Sequence, residues 1–123
     1  MEFKATYRIA HQDGKWGYFC EVTLVVELTP NVAGVRCGFV DTVCQWRDGV
    51  RFGIAYAQEK AFGMSPGLVG TQVTVTEVQG HDVDTTEVVA AYVAAHAFWK
   101  AVGVNPPRAF ELQPGVGLFV FPK

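Results

Sequence analysis

The hydrophobic pattern predicts an α+β domain: a mainly antiparallel sheet with two helices covering one face. Three observations lead there. Period-two alternation recurs along the chain, which marks half-buried strands. Two stretches change to helical spacing, one in the middle and one late. The length, 123 residues, is that of one domain spanning residues 1–123. The predicted order is β-β-β-α-β-α-β.

The first strand covers residues 2–10, "EFKATYRIA". Phe3, Ala5, Tyr7 and Ile9 share one side, and Glu2, Lys4, Thr6 and Arg8 take the other. Asp13-Gly14 is a hairpin-turn signal. The return strand is "YFCEVTLVVEL", ended by Pro30 and Gly34. A third strand is expected over "VRCGFVDTVCQW", with Val35, Cys37, Phe39 and Val43 on one face. Gly38 within it signals a bulge or close packing.

A helix follows over 50–62, where Val50, Ile54, Ala57 and Ala61 fall at helical spacing. Gly53 lies inside it against propensity, and Gly63 is a plausible stop. "LVGTQVTVTEV" alternates Val69, Thr71, Val73 and Val75 with polar or small residues and predicts a fourth strand. The longest helix is expected over 85–102, with Val88, Ala91, Tyr92, Ala95, Phe98, Trp99 and Val102 as its apolar stripe. "GVNPPR" ends it, and "GVGLFVFPK" reads as a last short strand. The middle helix joins strands that can run parallel, and such crossovers are ordinarily right-handed.

Composition narrows the function classes. Half of the residues are apolar and 18% charged, which excludes a disordered chain. The net charge of −2 argues against broad non-specific nucleic-acid binding but leaves room for a local contact. No apolar run is long enough for a membrane span, and the charged, alternating start is no signal peptide. Cys20, Cys37 and Cys44 lack C-x-x-C spacing and fit reduced thiols in the cytoplasm. No metal pair is expected of them.

The stretch "GHDVDTTEV" carries the sharpest question. Asp84 with Glu87 three residues on matches a capping box at the start of the long helix. Both carboxylates would also suit the positive end of the helix dipole. His81 lies ahead of that cap, beside Gly80 and Asp82, where side chains can meet a partner. An acid/base or metal reading would pair His81 with Asp82 or Asp84, but no second histidine stands at ligand spacing. His96 reads as a boundary residue of the long helix rather than a ligand. No nucleophile motif and no phosphate-binding loop of the G-x-x-x-x-G-K-[ST] type occurs, so neither catalysis nor a nucleotide or other cofactor is expected of this chain. The hairpin tip "HQDGKWGY" admits two readings. It is an ordinary turn followed by aromatic strand residues, or a contact in which Lys15 meets phosphate and Trp16 stacks on a base.

"GHDVDTTEVVAAYVAAHAFWKA" resembles the "YHDVDSSE…AF…A" region of domain IV of elongation factor G and its relatives among the translational GTPases. "GKWGYFCEV" is similar to the family's "GRGQYGHV", and "GFVDTV" to "YEFVNxI". "NPPRAFELQPGVGLFVFPK" is similar to the passage toward domain V, so 105–123 corresponds to that exit. The resemblance implies a ribosomal-protein-S5-domain-2-like sandwich with a left-handed β-α-β crossover, against the ordinary hand. It also implies a domain whose tip loops reach transfer RNA and messenger on the small ribosomal subunit. By motif, the tip residues would be Gly80, His81 and Asp82, with Gly14, Lys15 and Trp16 from the hairpin. No part of the chain matches the family's GTPase domain, so no GTPase activity of its own is expected. "CQWRDGV" stands where the family has "GGVIP", and the hairpin is shorter. The other reading is a stand-alone protein-interaction module, or a homodimer formed through an open sheet edge.

Overall fold

The computed structural model describes residues 2–13, 16–28, 35–43, 45–64, 71–80 and 85–105. Its elements are β1 (Glu2–Asp13), β2 (Trp16–Leu28), β3 (Val35–Phe39), α1 (Arg47–Met64), β4 (Thr71–Gly80) and α2 (Glu87–Val102). They form the α+β architecture that the alternation implies: a four-stranded sheet in the order β1-β2-β4-β3, with two helices. β1 and β4 are antiparallel to β2, whereas β3 runs parallel to β4. α1 therefore sits in a β-α-β crossover. The tail strand expected over 115–123 lies outside the described residues.

In β1 and the first half of β4 the inward positions are those the alternation selects, and β2 adds its even-numbered residues. Ala5 of β1, Cys20, Val22, Leu24 and Val26 of β2, and Val73 and Val75 of β4 are all buried. A bulge alters the phase of β4. Thr23 faces Glu77, but Leu24 faces Val75, so Thr76 is the extra residue. Past it the inward face passes from odd to even positions. Val78 packs against the core, and Gly80 turns inward. The opposite face of the sheet is polar, with Thr6 and Thr23 hydroxyls 2.9 Å apart.

The third strand is shorter than expected. β3 ends at Phe39, and the chain turns at Asp41 and Thr42. Val43 is buried as anticipated, but through this turn rather than along a strand, with its N–H donating to Val40 O at 3.0 Å. Gly38 is neither tightly packed nor in a bulge of the β3–β4 ladder, since nothing lies within 4 Å of where its Cβ would stand.

α1 begins at Arg47, three residues before the expected start, because the Val50 N–H already reaches Trp46 O at 3.0 Å. Val50, Ile54, Ala57 and Ala61 face the core as their spacing requires. The two helices run side by side in the same direction: Gly49 meets Glu87, Gly53 meets Ala91, and Trp99 Nε1 donates to Ala57 O at 2.9 Å. Gly53 is what permits that approach. A Cβ there would stand 2.0 Å from Ala91 O.

α2 is buried on more than the single stripe expected of it. Val89, Ala90, Val93, Ala94 and Ala97 are buried as fully as Tyr92, Phe98 and Trp99. The helix packs against β1, β2 and α1 together, and its alanines allow the close fit. Val88, assigned to the stripe, is 48% exposed in the first turn. His96 is not at a boundary. It is buried with its ring stacked on Tyr7 at 4.6 Å and met edge-on by Tyr92 and Trp99. Lys100 Nζ donates to Thr6 O at 3.0 Å and so covers part of the β1 edge. Gly103, at φ 74, closes the helix.

Candidate functional site

The register decides which predicted tip residues share an end of the molecule. Cys20 of β2 is opposite Gly80, the last residue of β4. β1 and β2 remain paired beyond that point, through His11–Tyr18 and Gln12–Gly17 to Asp13–Trp16. Trp16 lies four positions past Cys20, so the hairpin projects roughly 13 Å beyond the end of β4 at about 3.3 Å per residue. The hairpin and the chain leaving β4 thus depart from the same end of the sheet. Gly80 and the Trp16 backbone are placed there. Gly14, Lys15, His81, Asp82 and Asp84 lie outside the described residues.

Both helices also start at this end. At the start of α1, Trp46 adopts φ 58, the left-handed region that a bulky side chain rarely enters. Its ring lies against Gly80: a Cβ on Gly80 would stand 2.8 Å from the indole and 2.6 Å from Thr85 Oγ1. The Thr85 hydroxyl is buried and donates to Phe19 O. On the outer face, the Arg8 guanidinium lies 5.4 Å from the centre of the Phe19 ring. One cluster therefore ties β2, β4 and the starts of α1 and α2.

The helix cap differs from expectation. The N-cap of α2 is Thr86, with φ −126 and ψ 170, and its hydroxyl accepts from Val89 N–H at 3.2 Å. Asp84 stands two residues too early to fill that position. Glu87 is the first residue of the helix rather than the third, so it cannot close a capping box with Asp84. Its carboxylate instead accepts the Gly49 N–H, one of the unpaired amides in the first turn of α1. Glu87 is a cap, but for the neighbouring helix.

Trp46, Thr85 and Thr86 shape this end although none of them is among the predicted site residues. Thr86 was discoverable, because threonine directly ahead of an apolar helical run is a strong N-cap. Asp84 offered an equally good pattern. Trp46 gave no local signal, since its role depends on Gly80, 34 positions along the chain.

Arg47 and Arg51 flank the Phe39 ring at 5.2 and 5.3 Å, on the β3 side of α1. Among the described residues, no group of three or more His, Cys, Asp or Glu side chains could hold a metal ion. No described helix is long and apolar enough to cross a membrane. What the site offers is a shaped, partly aromatic end of a sheet.

No protein-family model matches the chain, and no curated protein matches it significantly. Solved structures do resemble it. A protein of Thermus thermophilus is similar over 83% of this chain, with a TM-score of 0.67 and 22% identity. Homoserine kinase from Cytophaga hutchinsonii is similar over 86% of the chain, with a TM-score of 0.53 and 11% identity. The chain spans 16% of the first protein and 37% of the second. These likenesses establish a shared fold, and a fold hosts many functions.

Proposed function

We propose that this chain is a module like domain IV of elongation factor G, which contacts RNA of the small ribosomal subunit through the end of the sheet carrying Gly80 and the β1–β2 hairpin. One observation supports the reading: the Cys20–Gly80 pairing puts Gly80, where the "GHDVD" segment begins, at the hairpin end of the sheet. In this reading Lys15 and His81 meet the RNA, and Trp16 stacks on an unpaired base. The module has no GTPase activity of its own and works without a cofactor. Its place is the cytoplasm, where ribosomes are.

The experiment is co-sedimentation of the chain with isolated small subunits over a salt series. Saturable binding that weakens steadily with salt supports an RNA contact made through phosphate. Absence of binding at low salt refutes it.

A second reading draws on a different observation. Phe52 is 55% exposed on α1, stacked on Tyr56 with ring centres 6.4 Å apart. An apolar aromatic pair on a helix surface suits a protein partner or a second copy of the chain. Binding that depends on Phe52 rather than on the tip would favour this interaction module.

A further inference from the structure

We propose that Trp46 is a positioning residue: its indole, carried on a left-handed backbone, fixes the end of β4 at Gly80, the residue from which the tip segment departs. The proposal rests on the tip-contact reading and names the residue that holds the base of the tip in place.

Four observations converge. First, φ 58 at Trp46 is a conformation that glycine or asparagine adopts with little strain and a tryptophan does not. The turn alone would be made more easily without the ring, so the ring's contacts must offset the strain. Second, the ring occupies the space where a Gly80 Cβ would stand, 2.8 Å away. Third, Thr85 Oγ1 closes the same space at 2.6 Å and is itself held by Phe19 O of β2. Fourth, the β4 bulge at Thr76 rotates Gly80 inward to meet both groups. Were β4 to continue in its earlier register without the bulge, Gly80 would pair with Phe19, face the polar side and touch neither.

Trp46 is itself well anchored. Its carbonyl accepts the first helical bond of α1 from Val50 N–H. Just after it, Arg47 Nε donates back to Val43 O and Gly49 N–H donates to the Glu87 carboxylate. The backbone is thus held where the half-buried ring packs against the core and Gly80.

The test compares the intact chain with its Trp46→Gly and Trp46→Phe variants. Glycine keeps the backbone conformation and removes the ring. Amide hydrogen exchange is read at Gly80 and Thr85 and, as internal controls, at Val93 and Ala94 in the middle of α2. The expected result is exchange about tenfold faster or more at Gly80 and Thr85 in Trp46→Gly, with the α2 amides within about twofold of wild type. Trp46→Phe should recover part of the protection. Unchanged exchange at Gly80 and Thr85, or a rise shared equally by Val93 and Ala94, overturns the proposal, because the ring would then be a general packing residue. Affinity for small subunits is measured on the same variants. If the exchange changes locally while the wild type binds no subunits, the positioning role stands and the ribosomal reading falls.

Discussion

Thr86 and Cys20 show how single side chains set the behaviour of this domain. The Thr86 hydroxyl satisfies an amide that would otherwise lack a partner in the first turn of α2. Thr86→Ala should therefore cost about 1 kcal/mol in urea unfolding. A variant as stable as wild type would remove Thr86 from the capping role. Cys20 is fully buried, and burial, aided by the neighbouring Glu21 carboxylate, pushes its thiol from 9.0 up to about 12. The unfolded chain loses this proton near pH 9 and the folded one keeps it. The native state thus holds more protons between the two values, so stability falls as pH rises through that window. The slope from this one thiol approaches ~1.4 kcal/mol per pH unit. Cys20→Ala should show a constant stability deficit below pH 8 that narrows above about pH 9. A deficit that stays constant to pH 11 would contradict the buried, neutral thiol.

At the scale of elements, the contact between α1 and α2 turns an ordinary rule around. Replacing glycine by alanine in an exposed helix gains about 1 kcal/mol. At Gly53 the added methyl would meet Ala91 O at 2.0 Å, and backbone cannot step aside. Gly53→Ala is expected to lose stability by roughly 1–3 kcal/mol, measured by thermal or urea unfolding. A gain would mean that the helices do not approach here. The same contrast explains what was legible in the sequence. Alternation found β1 and β4, the Asp13-Gly14 turn with a β-branched, aromatic run found β2, and helical spacing found the inward residues of α1, because all these signals are local. The Thr76 bulge, the end of β3 at Phe39 and the true partner of Glu87 were not legible. The bulge and the partner of Glu87 depend on residues far away in the chain, which a local pattern cannot contain, whereas β3 ends at a local turn, Val40–Val43, that carries no glycine or proline to announce it. The site divides in the same way. The motif around Gly80 stands out in the sequence, whereas Trp46 and Thr85, which hold Gly80, became visible only through the packing.

The whole molecule joins a well-packed core to one end of the sheet where chain segments gather. α2 and the inward faces of β1, β2 and β4 supply the rigidity, and the bulge, Trp46 and Thr85 shape the end. The proposed contact belongs to that end and not to the exposed Phe52 on α1. The most direct measurement is the dissociation constant for isolated small subunits at one fixed salt concentration. It is taken for wild type, a Lys15→Ala/His81→Ala double variant and Phe52→Ser, each first shown to be folded. The account predicts about a tenfold or greater loss in the double variant, from a lost phosphate contact and a lost tip side chain, and none in Phe52→Ser. Binding unaffected by the double variant, or abolished by Phe52→Ser alone, would contradict it and move the contact to the helix face.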